Sequence, residues 1–153
     1  LERVSSGSWL SAVLAAWSAL NPAASLAIDM PPALNEYWLS IDITIERALA
    51  NLLDNALAAD ATRIALSVRI EGEILNIQID DDGFGISSAA LQSFVDGTPI
   101  ASVRGMGIGL LLSRTAVERQ GGKLILECLP ERGTRASLAL PLIDTREESI
   151  HAF

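Results

Sequence analysis

Three stretches of the chain combine residue types that could do chemistry. The first is Asp80-Asp81-Asp82-Gly83-Phe84-Gly85-Ile86. It follows an alternating run in which Leu75, Ile77 and Ile79 fall on one side and Asn76, Gln78 and Asp80 on the other. Period 2 predicts a half-buried strand over Ile74–Asp81, and the same parity puts Asp81 on the apolar face. A carboxylate there is costly unless a donor meets it. Gly83 and Gly85 let the backbone turn and let a flat ligand come close. Asp81 is thus a candidate acceptor at the floor of a pocket, suited to an exocyclic amine such as that of adenine. The same residues also read as an acidic turn that closes a strand.

The second stretch holds Asn51 and Asn55, one helical turn apart and therefore on one face. Asparagine is a poor helix former, so two of them among Leu and Ala call for a reason; solvated or capping amides are the plain one. The third is Gly105-Met106-Gly107-Ile108-Gly109-Leu110, leading into a helix over Ile108–Gln120. A helix start offers free N–H groups and the positive end of its dipole, which suits an anion; a flexible turn is the other reading. No strand precedes these glycines, as a dinucleotide fingerprint requires, and no Gly-Lys-Ser/Thr follows, as a P-loop requires.

The elements that must position these groups follow from periodicity. Leu10, Val13, Leu14, Trp17 and Leu20 have helical spacing over residues 8–20, stopped by Asn21-Pro22, with Trp9 and Trp17 as core or interface anchors. A short strand is predicted from Ser25 to Asp29. Asp42 can cap a helix from Ile43 to about Ala59 whose buried stripe is Leu49, Leu52, Leu53 and Ala56. Thr62–Ile70 and Ile74–Asp81 form a hairpin around Glu71-Gly72-Glu73. A short helix capped by Ser87 runs to Val95, and Lys123–Leu129 with Thr134–Leu140 makes a last hairpin. The order α-β-α-β-β-α-loop-α-β-β predicts an α+β fold, a two-layer sandwich with a mixed, mostly antiparallel sheet covered by helices on one face.

At 153 residues, half of them apolar, the chain is expected to form a single domain over 1–143 with a polar tail over 144–153. A formal charge of −8 argues against nucleic acid as a partner. It leaves a nucleotide possible, since Mg²⁺ and helix N-termini neutralise phosphates. The one cysteine, Cys128, excludes an internal disulfide, fits a reducing compartment and is expected to serve packing. No apolar run is long enough to span a bilayer, so no membrane contact is expected of this segment. The start at Leu1 rather than Met suggests a piece of a longer protein.

Taken together, Asn51-Leu52-Leu53-Asp54-Asn55-Ala56 resembles the N box of the GHKL ATPase superfamily, Asp81-Asp82-Gly83-Phe84-Gly85-Ile86 its G1 box, and Gly105-Met106-Gly107-Ile108-Gly109-Leu110 its G2 box. Gly121-Gly122 and Gly133-Thr134 match its later glycines, so the resemblance covers nearly the whole chain. It is similar to the catalytic ATP-binding domain of bacterial sensor histidine kinases, with Asn55-Ala56-Leu57-Ala58-Ala59 resembling the redox-responsive RegB-like branch. The resemblance implies a Bergerat fold, ATP and Mg²⁺. Asp81 would accept the adenine amine with Gly83 and Gly85 beside it, and Asn55 would hold Mg²⁺. Asn51 would contact the phosphates or a metal-bound water. Gly105, Gly107 and Gly109 would donate N–H bonds to phosphate, Arg104 would pair a phosphate, Leu110 would contact the nucleotide, and Thr134 would support Asp81. Residues 95–104 would be an ATP lid. Ala58 and Ala59 depart from the family, which often has a basic and an aromatic residue there; with a short lid and Phe94 alone in the phenylalanine box, a loosely held nucleotide is expected.

Gyrase-like and Hsp90-like ATPases and serine kinases of this superfamily place a glutamate where Asn51 stands. Water and serine need a base to become nucleophiles; a neutral imidazole already carries a lone pair. The resemblance therefore implies phosphoryl transfer to a histidine, catalysed by positioning and charge neutralisation. Glu46 reads as a solvated face residue. The sole histidine, His151, sits in the tail, so the phosphoacceptor is expected on a separate dimerisation and phosphotransfer domain, without which the chain cannot autophosphorylate. A response regulator would follow. The implied setting is the cytoplasm, with the chain monomeric and the full-length protein a homodimer, anchored in the inner membrane or not. The alternatives are a degenerate nucleotide-binding or interaction module and a GHKL serine kinase or ATPase.

Overall fold

A computed structural model describes residues 1–97 and 106–143. The chain opens with β1 (Glu2–Ser5), α1 (Ser6–Leu20), β2 (Leu26–Asp29), a 3₁₀ turn (Pro32–Glu36) and β3 (Trp38–Ile41). It continues with α2 (Ile43–Ala58), β4 (Ile64–Glu71), β5 (Ile74–Asp81), α3 (Ser88–Asp96), α4 (Met106–Arg119), β6 (Lys123–Cys128) and β7 (Thr134–Pro141).

The five-stranded sheet runs β2-β4-β5-β7-β6, with β2 parallel to β4 and every other pair antiparallel. Its strands bury one face only. Ile64, Leu66 and Val68 of β4, Leu75, Ile77 and Ile79 of β5, Leu138 and Leu140 of β7, and Leu124 and Leu126 of β6 join the core with the buried stripes of α1 and α2. The opposite face carries Ser67, Arg69, Asn76, Gln78, Asp80 and Arg135. This is the expected sandwich, mixed and mostly antiparallel, with its helices on the covered face.

Helix α2 forms where its sequence says it should. The Asp42 side chain accepts from Thr44 N at 2.9 Å, satisfying a first-turn donor. Ile45, Ala48, Leu49, Leu52, Leu53 and Ala56 then recur at helical spacing and are buried. Each large one contributes about 1.5–3 kcal/mol by leaving water. Trp17 ties α1 to this helix, donating from Nε1 to Asp54 Oδ1 at 2.9 Å.

The structure departs from the sequence reading at several points, the start of α1 at Ser6 rather than residue 8 among them. β1, β3 and the 3₁₀ turn were not anticipated; β1 pairs with β3 in a separate two-stranded sheet. Both strands are four residues long, too short for alternation to stand out. β4 starts at Ile64 rather than Thr62, because the N–H groups of Thr62 and Arg63 are taken by the Asp82 carboxylate at 2.7 and 2.9 Å. α4 starts at Met106 rather than Ile108, so Gly107 joins Gly109 inside its first turn instead of lying ahead of the helix. Cys128, expected as packing, is exposed. It keeps the parity of Leu124 and Leu126 but stands at the last residue of β6, where the cover of the core ends.

Candidate active site

Asp81 is the last residue of β5, and the strand's alternation carries it onto the buried face at 9% exposure. Its Oδ1 accepts from Gly83 N at 2.9 Å. Burial pushes its pKa above the ordinary carboxylate value; the amides of Gly83 and Thr134 pull it back, and the charges of Asp82 and Asp80 push it up further. Its two neighbours point elsewhere and are occupied. Asp80 takes a bidentate pair from Arg135 on the open face, both bonds 2.9 Å. Asp82 accepts from Thr62 Oγ1, Thr62 N and Arg63 N, and these bonds lower its pKa to about 2. Of the three acids, Asp81 is the one held toward the interior.

The slot that Asp81 floors is walled by Leu52, Asn55 and Ala56 of α2, Ile79 of β5, Thr134 and Ala136 of β7, and Leu110 of α4, with Gly85 and Ile86 at the turn. Its walls are apolar and its polar groups few, as suits a flat heteroaromatic ring. Asn55 Nδ2 is buried and finds no hydrogen-bond partner among the described residues. An orphan amide in a buried wall is a group in want of a ligand or water.

The glycines around Asp81 are set by close approach. Gly133 has φ +104°, and a Cβ there would sit 1.8 Å from the Asp81 carbonyl oxygen. A Cβ on Gly83 would sit 2.4 Å from the Ala59 carbonyl oxygen, and Phe84 N donates to that same oxygen at 2.9 Å. Arg132 Nε closes the turn from the other side by donating to Gly83 O at 3.0 Å. The end of α2, the β5 turn and the start of β7 are thereby locked into one corner.

The two asparagines part company. Asn55 lines the Asp81 slot, whereas Asn51 lines a neighbouring groove between α2 and α4 together with Gly109 and Ser113. Asn51 Nδ2 donates to Ser113 Oγ at 3.0 Å. A Cβ on Gly109 would come within 2.9 Å of that Nδ2, so glycine is what lets the amide lie against the first turn of α4. That first turn, which includes Gly107 and Gly109, presents N–H groups that an α-helix cannot pair internally. The slot thus gathers Asn55, Asp81, Gly85, Leu110 and Thr134, and the groove Asn51 and Gly109. Gly83 serves the turn behind Asp81, and Arg104 and Gly105 lie outside the described residues, as do the tail and most of the expected lid.

Sequence reasoning missed Ser113, Arg132 and the steric role of Gly133. Ser113 carried a signal: one hydroxyl after the run Leu110-Leu111-Leu112, a turn beyond Gly109. Arg132 carried none, since nothing local marks a side chain that reaches another loop.

An acidic acceptor under an apolar slot, amides along one helix and a glycine-bearing helix start beside them have the chemistry to receive a flat, amine-bearing ring with an anionic end. Residues 41–144 match the family described as histidine kinase-, DNA gyrase B-, and HSP90-like ATPase, and the chain belongs to it. Within that family its kinship is with sensor kinases. The sensor protein kinase CarS of Pseudomonas aeruginosa is 35% identical over 124 residues, 80% of this chain and 27% of that protein. The sensor protein TorS of Escherichia coli is 35% identical over 123 residues, 78% of this chain and 13% of that protein. The chain therefore spans only 27% and 13% of the length of these two curated relatives. Among solved structures, the ATP binding domain of PrrB from Mycobacterium tuberculosis shares the fold, with a TM-score of 0.73 at 22% identity over 94% of this chain and 98% of that one.

Proposed function

We propose that residues 1–143 are one catalytic domain that binds ATP with Mg²⁺ and transfers its γ-phosphoryl group to a histidine. That histidine is carried on a separate dimerisation and phosphotransfer domain, and a response regulator receives the group afterwards. The observation that carries the reading is the slot shared by buried Asp81 and the unpartnered amide of Asn55, with the first turn of α4 beside it.

In this reading Asp81 accepts the adenine amine, Gly83 shapes the turn behind it and Gly85 lies against the ring. Leu110 and the α2 residues sandwich the base. Thr134 supports Asp81 through its backbone amide, one of the groups that favour the ionised carboxylate. The N–H groups of Gly105, Gly107 and Gly109 and the guanidinium of Arg104 receive the phosphates, and Asn51 holds a phosphate oxygen or a metal-bound water. Asn55 would offer Mg²⁺ its amide oxygen, a ligand type that suits this ion alongside phosphates and water, and its unpaired Nδ2 would be left to donate to the nucleotide or to water. When bound, Mg²⁺ would neutralise charge on the phosphates. The amide of Asn51 cannot take a proton at neutral pH, so the chain's own contribution is alignment of the γ-phosphoryl group with an incoming imidazole lone pair.

No helix among the described residues is long and apolar enough to cross a membrane. We place the domain in the cytoplasm, monomeric by itself and paired in a full-length homodimer through the phosphotransfer domain. The test is calorimetric titration with ATP, with and without Mg²⁺, followed by addition of a histidine-bearing phosphotransfer domain and radiolabelled ATP. Mg²⁺-dependent binding and an acid-labile phosphoprotein are expected. Acid-stable label would mean a serine kinase; no binding at millimolar ATP would mean an interaction module.

A further inference from the structure

We infer that Ser113 is a positioning residue for phosphoryl transfer, acting by holding the amide of Asn51 against the first turn of α4. The inference rests on the role proposed above for Asn51. Three observations carry it. Ser113 is a buried hydroxyl, 4% exposed, on a helix face that otherwise packs with Ala116 and Val117. A buried hydroxyl is retained at a cost unless it is bonded, and the bond here is to a side chain 62 residues away, Asn51 Nδ2 at 3.0 Å. Gly109, four residues earlier on the same face of α4, leaves the space in which that amide lies.

Gly109 and Ser113 together form a notch that fits one amide. Asn51 sits on α2 in the groove that Arg47 and Asp54 also line, and it has other staggered rotamers that would turn its amide away from Gly109 and Ser113. The hydroxyl selects the rotamer beside the helix start, where an anion would be held. Fixing a group in its working position removes the entropy of finding it during the reaction. The effect should fall on the chemical step more than on nucleotide affinity, because the slot that takes the base is lined by other residues.

The test has two parts. On this chain, the Asn51 side-chain amide is followed by ¹H–¹⁵N NMR. In full-length kinase, transfer from ATP to histidine is timed at saturating ATP. Ser113→Ala is expected to shift the Asn51 amide signal and slow transfer about three- to tenfold, the worth of one ordinary hydrogen bond, with the Kd for ATP changed less than about twofold. Ser113→Thr, which keeps the hydroxyl, restores both. In an Asn51→Ala background, Ser113→Ala slows nothing further, since coupled residues are not additive. An unshifted amide signal, a wild-type rate in Ser113→Ala, or a full second loss in the double variant overturns the inference while leaving the reading of Asn51 intact. A wild-type rate in Asn51→Ala overturns both.

Discussion

Replacing Asp81 with asparagine separates binding from folding. The carboxylate lines the slot with two oxygens: Oδ1 takes the Gly83 N–H at 2.9 Å, the Thr134 amide also favours the ionised form, and the remaining lone pairs can take a ligand's amine. Asparagine keeps one acceptor and puts an NH₂ in the other place. Either that NH₂ meets the Gly83 N–H, or it meets the ligand's amine; both are donor against donor. The loss is one charge-assisted hydrogen bond, about 1.5–3 kcal/mol, or roughly 10- to 150-fold in Kd for ATP. Stability should move the other way. Burial raises the Asp81 pKa in the folded chain above its unfolded value. The ionised form is therefore disfavoured by folding, so Asp81 lowers stability at neutral pH, and that penalty fades as pH falls through the raised pKa. Asp81→Asn removes the buried charge and should leave the Tm at pH 7 unchanged or higher. ATP affinity of the wild type should also fall as pH drops through the same raised pKa, while the variant's weak binding stays flat. Calorimetric titration and thermal unfolding on the same samples read both quantities. Asp80→Asn, on the open face, is the control and should bind normally. A variant Kd within about threefold of wild type, or a Tm lowered by several degrees, would refute the assignment of Asp81 as a ligand acceptor.

Three further outcomes are expected. Asp82 has its pKa lowered to about 2 by its bonds from Thr62 and Arg63, so it stabilises the fold above the ordinary value of 3.8 and loses that effect as pH falls toward 2; Asp82→Asn should flatten this part of the acid unfolding curve followed by circular dichroism. Gly133→Ala places a methyl 1.8 Å from the Asp81 carbonyl oxygen and should yield little folded protein, whereas Gly72→Ala, at φ +63° with nothing within 4 Å, should fold with a loss of about 1–2 kcal/mol, both measured by denaturant titration. Ala59 presents only a methyl to the slot, so a Kd of about 10 µM or weaker with association at about 10⁶ M⁻¹s⁻¹ gives nucleotide release at roughly 10 s⁻¹ or faster; stopped-flow with a fluorescent ATP analogue that found release over minutes would count against this.

What the sequence made legible was local. The parity of β5 carried Asp81 to the buried face because a strand has period 2, and the stripe of α2 was plain because Leu49, Leu52, Leu53 and Ala56 recur at helical spacing, to which the structure adds Ile45 and Ala48. What it hid was contact between distant segments. Gly133 and Asp81 touch across 52 positions, and nothing near Gly133 says that its neighbour is a backbone oxygen rather than solvent. The start of α4 was placed two residues late because glycine weakens a helix interior, and the compensation lies on another helix, where the Asn51 amide occupies the space that a side chain at 109 would fill.

The same hidden contact explains why the two asparagines do different things. Residues one turn apart on a helix have Cβ atoms only about 5–6 Å apart, and the sequence reading therefore grouped Asn51 with Asn55. The first turn of α4 packs between their destinations. Leu110 of α4 closes the slot that holds Asn55 and Asp81, while Gly109, its immediate neighbour, opens onto the groove that holds Asn51. A ligand that engages both compartments must be flat and amine-bearing at the Asp81 end and anionic where it passes the start of α4. A purine nucleotide has that shape, and in the reading proposed above Asn55 stands where the slot passes toward the phosphates while Asn51 stands beside the start of α4.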